Sequence, residues 1–389
     1  MRRVRITAGP EPLPSVAEVV ARLRPDGPVH CLRPAVLEAT ARGFVAAFPG
    51  DVLYAVKCNP EPLALRALWR GGVRHFDVAS PVEIRLLRRL LPEAALHYMH
   101  PVKARSAIAE AYRRHGVRDF ALDGFDELAK LRAETGDARD LGLMVRLALP
   151  RGSAAVCDMS GKFGAPAVEA TALLRAARPL ARRLGVTFHV GSQCLEPAAF
   201  ERALDLTGAV LAGAGVEIDM LDVGGGFPVP YPGMAAPPVG DFLAAIGRGV
   251  ARLGLPDACR LWCEPGRLLV AAAGSVVVRV LRRRGPELFV TDGMYGSLID
   301  AARLGFRFPA RLVRLDGDSR APEADFVLFG PSCDSGDRMP GPFALPDDVA
   351  EGDWIELGQL GSYGSCQRTD FNGFGAARLA LVRDGPVDG

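Results

Sequence analysis

A lysine that closes a run of strongly apolar residues is the first position in this chain able to do chemistry. In VLYAVKCN (52–59) Lys57 ends such a run. At the mouth of a buried strand, desolvation lowers an ammonium's pKa and favours the neutral amine that a Schiff base needs. Farther along, GGGF at 224–227 offers successive backbone N–H groups with no side chains in the way, so a phosphate can approach Gly224, Gly225 and Gly226 closely. Ser192 and Arg267 can add a hydroxyl and a fork of donors. Glu264, in CEPGR, is a carboxylate that can pair with a protonated pyridine nitrogen and keep such a ring an efficient electron sink, which favours decarboxylation. His189 can stack on that ring or orient a substrate. Taken singly, each has a blander reading: a snorkelling lysine, a left-handed glycine turn, a histidine satisfied in the fold. Their company is what points to chemistry.

The elements that must position these residues have a clear rhythm. Eight short apolar or β-branched runs, at 52–56, 73–78, 95–99, 117–122, 143–149, 186–190, 218–223 and 260–264, alternate with helical stretches. Eight such units predict a (β/α)8 TIM-type barrel, an α/β architecture in which reactive groups stand at the C-terminal ends of the strands. Read that way, Lys57, Asp77, His189 and Glu264 end strands one, two, six and eight, Arg146 lies in strand five, and the glycine triplet follows strand seven. One intervening helix begins at Pro81, where the first turn tolerates proline, places Val82, Leu86, Leu87 and Leu90 on one face, and stops at Pro92. After Leu268 the pattern turns to extended runs separated by Gly, Pro and Asp, which predicts a C-terminal β-barrel or β-sandwich domain. The expected division is a barrel over 33–270 and a β domain formed by 1–32 and 271–389. The proline-rich piece 227–238 reads as an irregular loop at the site mouth.

Composition narrows the class. Hydrophobic residues make up 49% and charged residues 24% of 389, the balance of a globular protein. A net charge of +2, from 47 basic and 45 acidic residues, gives no field for nucleic acid, and the arginine run 282–284 reads as a solvated face. The longest strongly apolar stretch, 268–278, is far below the ~20 residues of a membrane span, and the first residues lack an apolar signal core, so a cytoplasmic location and no membrane partner are expected. Eight cysteines without a CxxC pair argue against a disulfide framework or structural zinc, and six scattered histidines offer no metal spacing.

Assembled in order, YAVKCN (54–59), FDVASPVEI (76–84), KFG (162–164), HVGSQC (189–194), DVGGGFP (222–228), EPGR (264–267), DGMYGS (292–297), GPSCDSGD (330–337) and FNGF (371–374) closely resemble the ornithine/diaminopimelate/arginine decarboxylase family of fold-type III pyridoxal-phosphate (PLP) enzymes, its ornithine branch most of all. The resemblance runs from about residue 33 to 374. It implies that Lys57 holds pyridoxal 5'-phosphate, His189 stacks on the ring, Glu264 meets the pyridine nitrogen, and Ser192, Gly224 to Gly226, Arg267 and Tyr363 hold the phosphate. Asp77, Glu83 and Arg146 would support this shell. It further implies a head-to-tail homodimer with shared active sites, in which Cys333 and Asp334 of one subunit complete the site of the other and Cys333 delivers the proton.

The implied substrate is a small amino acid, with ornithine and its product putrescine indicated by Asp334, whose carboxylate suits a distal ammonium; diaminopimelate decarboxylases resemble one another in carrying Glu there. Tyr295 belongs to the same shell. The chain departs from the eukaryotic ornithine pattern nine residues after Tyr295, where Leu304 replaces an expected Asp; a shorter loop would bring Asp300 there instead. Lysine and diaminopimelate decarboxylation are the alternatives, followed by a non-catalytic, antizyme-inhibitor-like binding protein, which the presence of Lys57, Glu264, Arg267, Cys333 and Asp334 disfavours.

Overall fold

A computed structural model describes residues 5–6, 13–152 and 155–387. All eight expected strands form, as β1 (Asp51–Ala55), β2 (His75–Val78), β3 (Ala95–Tyr98), β4 (Asp119–Leu122), β5 (Gly142–Arg146), β6 (Arg183–Thr187), β7 (Met220–Asp222) and β8 (Arg260–Cys263). They pair in parallel in chain order, and β8 returns to β1 to close the barrel. Leu53, Met99, Ala121, Met144, Met220 and Trp262 pack together in its interior. Small residues make room for large ones there: a Cβ at Gly185 would lie 2.3 Å from the sulfur of Met144. The plug leaves the C-terminal mouth as the end where a ligand can sit.

The helices start where local chemistry dictates. Pro34, Pro62 and Pro81 each open a helix, the position where a missing N–H costs nothing. Ser80 caps the helix Pro81–Leu90 by accepting the N–H of Glu83, while Glu83 reaches back to the N–H of Ala79 at 2.6 Å. The buried face of that helix differs from the expected one. Ile84, Leu86 and Leu87 are buried, whereas Val82 is 54% exposed, because the first turn stands at the rim of the barrel mouth, beyond the strand ends.

Nine of the remaining strands form one curled, mixed sheet containing Val29–Leu32, Gly274–Arg284, Glu287–Val290, Glu323–Phe329 and Trp354–Leu357, and Ala155–Cys157 pairs with Ser192–Cys194 in a separate two-stranded ribbon. The edge strand of the curled sheet, Arg338–Pro346, contains Pro340 and Pro342; proline is tolerated there since the strand pairs on one side only, with Glu323–Phe329. Apolar clusters fill the barrel wall and the sheet separately. Among the described residues no helix is long and apolar enough to cross a membrane.

Candidate active site

Lys57 sits in a single 3-10 turn, Val56–Cys58, directly after β1. That turn is pinned from the C-terminal region: Tyr363 N donates to the Cys58 carbonyl at 2.9 Å and Asn59 Nδ2 donates to the Gly361 carbonyl at 2.8 Å. The Lys57 ammonium lies 3.2 Å from Asp77 Oδ2 on the neighbouring strand; the lysine side chain is 42% exposed and the aspartate 3%. Here the structure corrects the sequence reading. Lys57 is not shifted toward the neutral amine: the Asp77 carboxylate raises its pKa, outweighing the opposing effect of burial. The cofactor-free lysine is a cation held by a buried counter-ion.

Across the mouth, Glu264 follows β8 and Asp222 ends β7, and their side chains hydrogen-bond. Burial is the largest cause that pushes the Glu264 carboxyl well above its usual range, followed by the charges of Asp222 and Asp77. Asp222 accepts the Gly224 N–H at 2.9 Å and the Thr187 hydroxyl at 3.0 Å, so it is the better anion of the two and Glu264 keeps the proton. Glu264 Oε1 is buried with no hydrogen-bond partner among the described residues.

His189 lies two residues beyond β6 rather than inside it. Its Nδ1 accepts the Gly191 N–H at 3.0 Å, which leaves any proton of the neutral ring on Nε2. Burial, then the charges of Arg146 and Lys57, hold the imidazole well below its usual pKa, so the ring is neutral. Arg146, at the end of β5, packs 5.7 Å from the ring of Phe163 in the KFG segment.

The glycine triplet has a second reason to be glycine. Gly224 and Gly226 have φ of +68° and +106°, and a Cβ at Gly224, Gly225 or Gly226 would lie 2.0, 2.5 or 2.4 Å from the carbonyl oxygens of Phe188, Glu264 and Gly191. Close packing of this turn against the ends of β6 and β8 therefore forbids side chains, in addition to any need for an anion to approach. Ser192 is the residue after Gly191 and pairs opposite Cys157 in a short two-stranded ribbon.

Arg267 is buried at the start of the helix Arg267–Val270. Its Nη1 donates to the Tyr231 hydroxyl at 2.9 Å and to Ser362 Oγ at 3.4 Å, and its guanidinium lies 5.1 Å from the Tyr363 ring centroid. Asp300, expected near a substrate amine, has its carboxylate on this guanidinium at 3.2 Å. Sequence reasoning missed Asp222, Tyr231, Ser362 and Gln193. The D-x-G spacing before the triplet is a turn signal that could have found Asp222. Gln193, fully buried at φ +58°, holds the proline-rich loop through both its amide atoms on Val229, and nothing local announces it.

Cys333, Asp334 and Tyr295 form a separate group on the curled sheet. The Tyr295 hydroxyl donates to Asp334 Oδ2 at 2.5 Å, Gly336 N donates to Asp334 Oδ1 at 2.8 Å, and exposed Cys333 contacts Asn372 Oδ1 at 3.4 Å. Among the described residues no hydrogen bond or ion pair links this group to Lys57, Asp77 or Glu264 of the same chain.

Residues 35–271 match the family described as pyridoxal-dependent decarboxylase, pyridoxal binding domain. The chain belongs to that family. It is 34% identical to a lysine/ornithine decarboxylase of Selenomonas ruminantium, covering 86% of this chain and 84% of that one. It is 31% identical to an ornithine decarboxylase of Panagrellus redivivus, covering 82% and 77%. The fold superposes on the arginine decarboxylase of Paramecium bursaria Chlorella virus bound to agmatine with a TM-score of 0.83, at 25% identity and 94% and 99% coverage.

The residues of this pyridoxal-phosphate-dependent decarboxylase of a basic amino acid fit the cofactor. An orphaned, buried carboxyl oxygen of Glu264 is available to a cationic ring nitrogen, and the buried Nε of Arg267, also without a partner among the described residues, is available to an anion. The neutral His189 ring can lie against an aromatic face without bringing a charge. When bound, PLP supplies the electron sink for the carbon–carbon bond broken as carbon dioxide leaves.

Proposed function

We propose that the protein decarboxylates L-ornithine to putrescine and carbon dioxide, serving polyamine biosynthesis, as a homodimer in which Cys333 and Asp334 of each subunit complete the Lys57 site of the other. The observation that carries the substrate is the Tyr295–Asp334 pair. The tyrosine hydroxyl, then the Gly336 N–H, hold the Asp334 carboxyl below its usual pKa, so it is an anion throughout the neutral range. A fixed carboxylate of this kind accepts a charge-assisted hydrogen bond from a distal ammonium and repels a distal carboxylate such as that of diaminopimelate. The names of the Selenomonas and Panagrellus relatives support the same substrate class.

The shared site is supported by where apolar surface lies. Val82, Val102 and Phe125 are exposed around the mouth side of β2, β3 and β4, and Phe371 and Phe374 are exposed on either side of Asn372, the residue that contacts Cys333. Exposed apolar side chains beside an incomplete site and beside the missing groups suit a two-fold, head-to-tail contact. In this reading Lys57 is the cofactor lysine, with Asp77 as its counter-ion. The 224–226 turn, Ser192, Arg267 and Tyr363 hold the phosphate, and Arg146 supports His189. Glu264 faces the ring nitrogen, and Cys333 delivers a proton to the substrate carbon.

The test is carbon dioxide release by the PLP-loaded protein with equal ornithine, lysine, arginine and meso-diaminopimelate, beside Lys57→Ala. Preference for ornithine, lost in the variant, is expected. One methylene separates ornithine from lysine and is worth only ~1–3 kcal/mol, so lysine should be turned over more slowly rather than refused. Preference for diaminopimelate would remove the argument from Asp334.

A further inference from the structure

Arg267 is a buried, closely held cation at the barrel mouth. Its guanidinium lies 4.9 Å from the Phe306 ring centroid and 5.1 Å from that of Tyr363, and its two terminal nitrogens meet Tyr231, Ser362 and Asp300. These neighbours are of two kinds. Tyr231 and Ser362 carry no charge, so they aim the fork without cancelling it. Tyr231 is itself fixed, stacked 4.8 Å from Phe306 and tied back to Met234 in the proline-rich loop. Asp300 cancels the charge. An arginine that is to hold a dianionic phosphate is blunted by a carboxylate on the same fork, and retaining both anions there sets like charges side by side.

Asp300 stands nearer solvent than the other two, which are 4% and 2% exposed. It lies in the first turn of a six-residue helix, Ile299–Leu304, at the edge of the curled sheet, and its side chain keeps 13% of its surface in solvent against 6% for the arginine. Removing any counter-charge from the buried guanidinium would leave it uncompensated, which is costly.

We propose that Asp300 is a displaceable counter-ion: it neutralises Arg267 while the phosphate pocket is free and is driven into solvent when the cofactor's phosphate takes the fork. This rests on the reading of Arg267 as a phosphate ligand. Its consequence has a definite sign. A competitor, once removed, leaves phosphate bound more tightly; a positioning residue, once removed, leaves it bound more weakly.

The experiment uses the full chain stripped of cofactor, as wild type, Asp300→Asn, Asp300→Ser and Arg267→Ala. Affinity for inorganic phosphate is read from the shift in thermal unfolding, and affinity for PLP from absorbance titration. Both Asp300 variants should unfold at lower temperature when anion-free and bind both ligands more tightly, by on the order of tenfold, while Arg267→Ala binds both more weakly. Unchanged or weaker binding in the Asp300 variants, with Arg267→Ala still impaired, overturns the proposal. Unchanged binding in Arg267→Ala overturns the phosphate role of Arg267 and the proposal with it. The serine variant keeps the outcome readable should the asparagine variant fail to fold.

Discussion

Replacing Glu264 by Gln separates the two states in which that side chain works. In the cofactor-free chain Glu264 is neutral, because burial and the charges of Asp222 and Asp77 hold its pKa well above the usual carboxyl range. Glutamine has nearly the same volume and can still donate to Asp222, so the cofactor-free fold should lose less than about 1.5 kcal/mol. The pH dependence should change more than the stability at any one pH. A carboxyl whose folded pKa is raised binds a proton in the folded chain that the unfolded chain has released. Its contribution is therefore complete below the unfolded pKa of ~4.3 and falls by ~1.36 kcal/mol per pH unit as pH climbs toward the folded value. Glu264→Gln removes that slope, so the difference in urea-unfolding free energy between variant and wild type should drift in favour of the variant as pH rises through the acid range into neutrality.

With PLP bound the balance reverses. The carboxyl can give its proton to the ring nitrogen and face it as an anion, whereas the amide cannot. The missing charge-assisted bond is worth about 1.5–3 kcal/mol, or roughly 10- to 150-fold in turnover at saturating cofactor and substrate. Unfolding titrations of stripped protein between pH 5 and 8, beside single-turnover carbon dioxide release, read both halves. A variant whose stability shows the wild-type pH slope, or whose turnover is unchanged, would refute the assignment of a neutral Glu264 that becomes charged only against the cofactor.

Two further outcomes follow from the geometry. If each site draws on both subunits, Lys57→Ala and Cys333→Ala are each inactive alone; after the two are unfolded and refolded together, half the dimers are mixed and each mixed dimer holds one intact site, giving about a quarter of wild-type activity, whereas no recovery would indicate sites built within one chain. Gly225→Ala puts a methyl 2.5 Å from the Glu264 carbonyl and 3.2 Å from His189 Nε2; it should cost ~1–3 kcal/mol in thermal unfolding and weaken PLP binding, and wild-type behaviour in both would show that the turn can open.

What could be read without the fold was whatever is local. The eight strands announce themselves through short apolar runs, the glycine triplet and Lys57 through their immediate neighbours, and the helix Pro81–Leu90 through the proline at its first turn. The misreadings are local rules overruled at a distance. Val82 fits a helical face but lies at the rim of the mouth. The charge states of the site were hidden for the same reason. Lys57 meets Asp77 only because β1 and β2 are adjacent, and Glu264 meets Asp222 only because β7 and β8 are, the partners lying 20 and 42 positions apart in the chain. Arg267 meets Asp300 only where the barrel abuts the curled sheet. A residue's type and spacing are properties of the chain; its pKa depends on how near a second charge lies and how little water separates them, and closure of the barrel sets both.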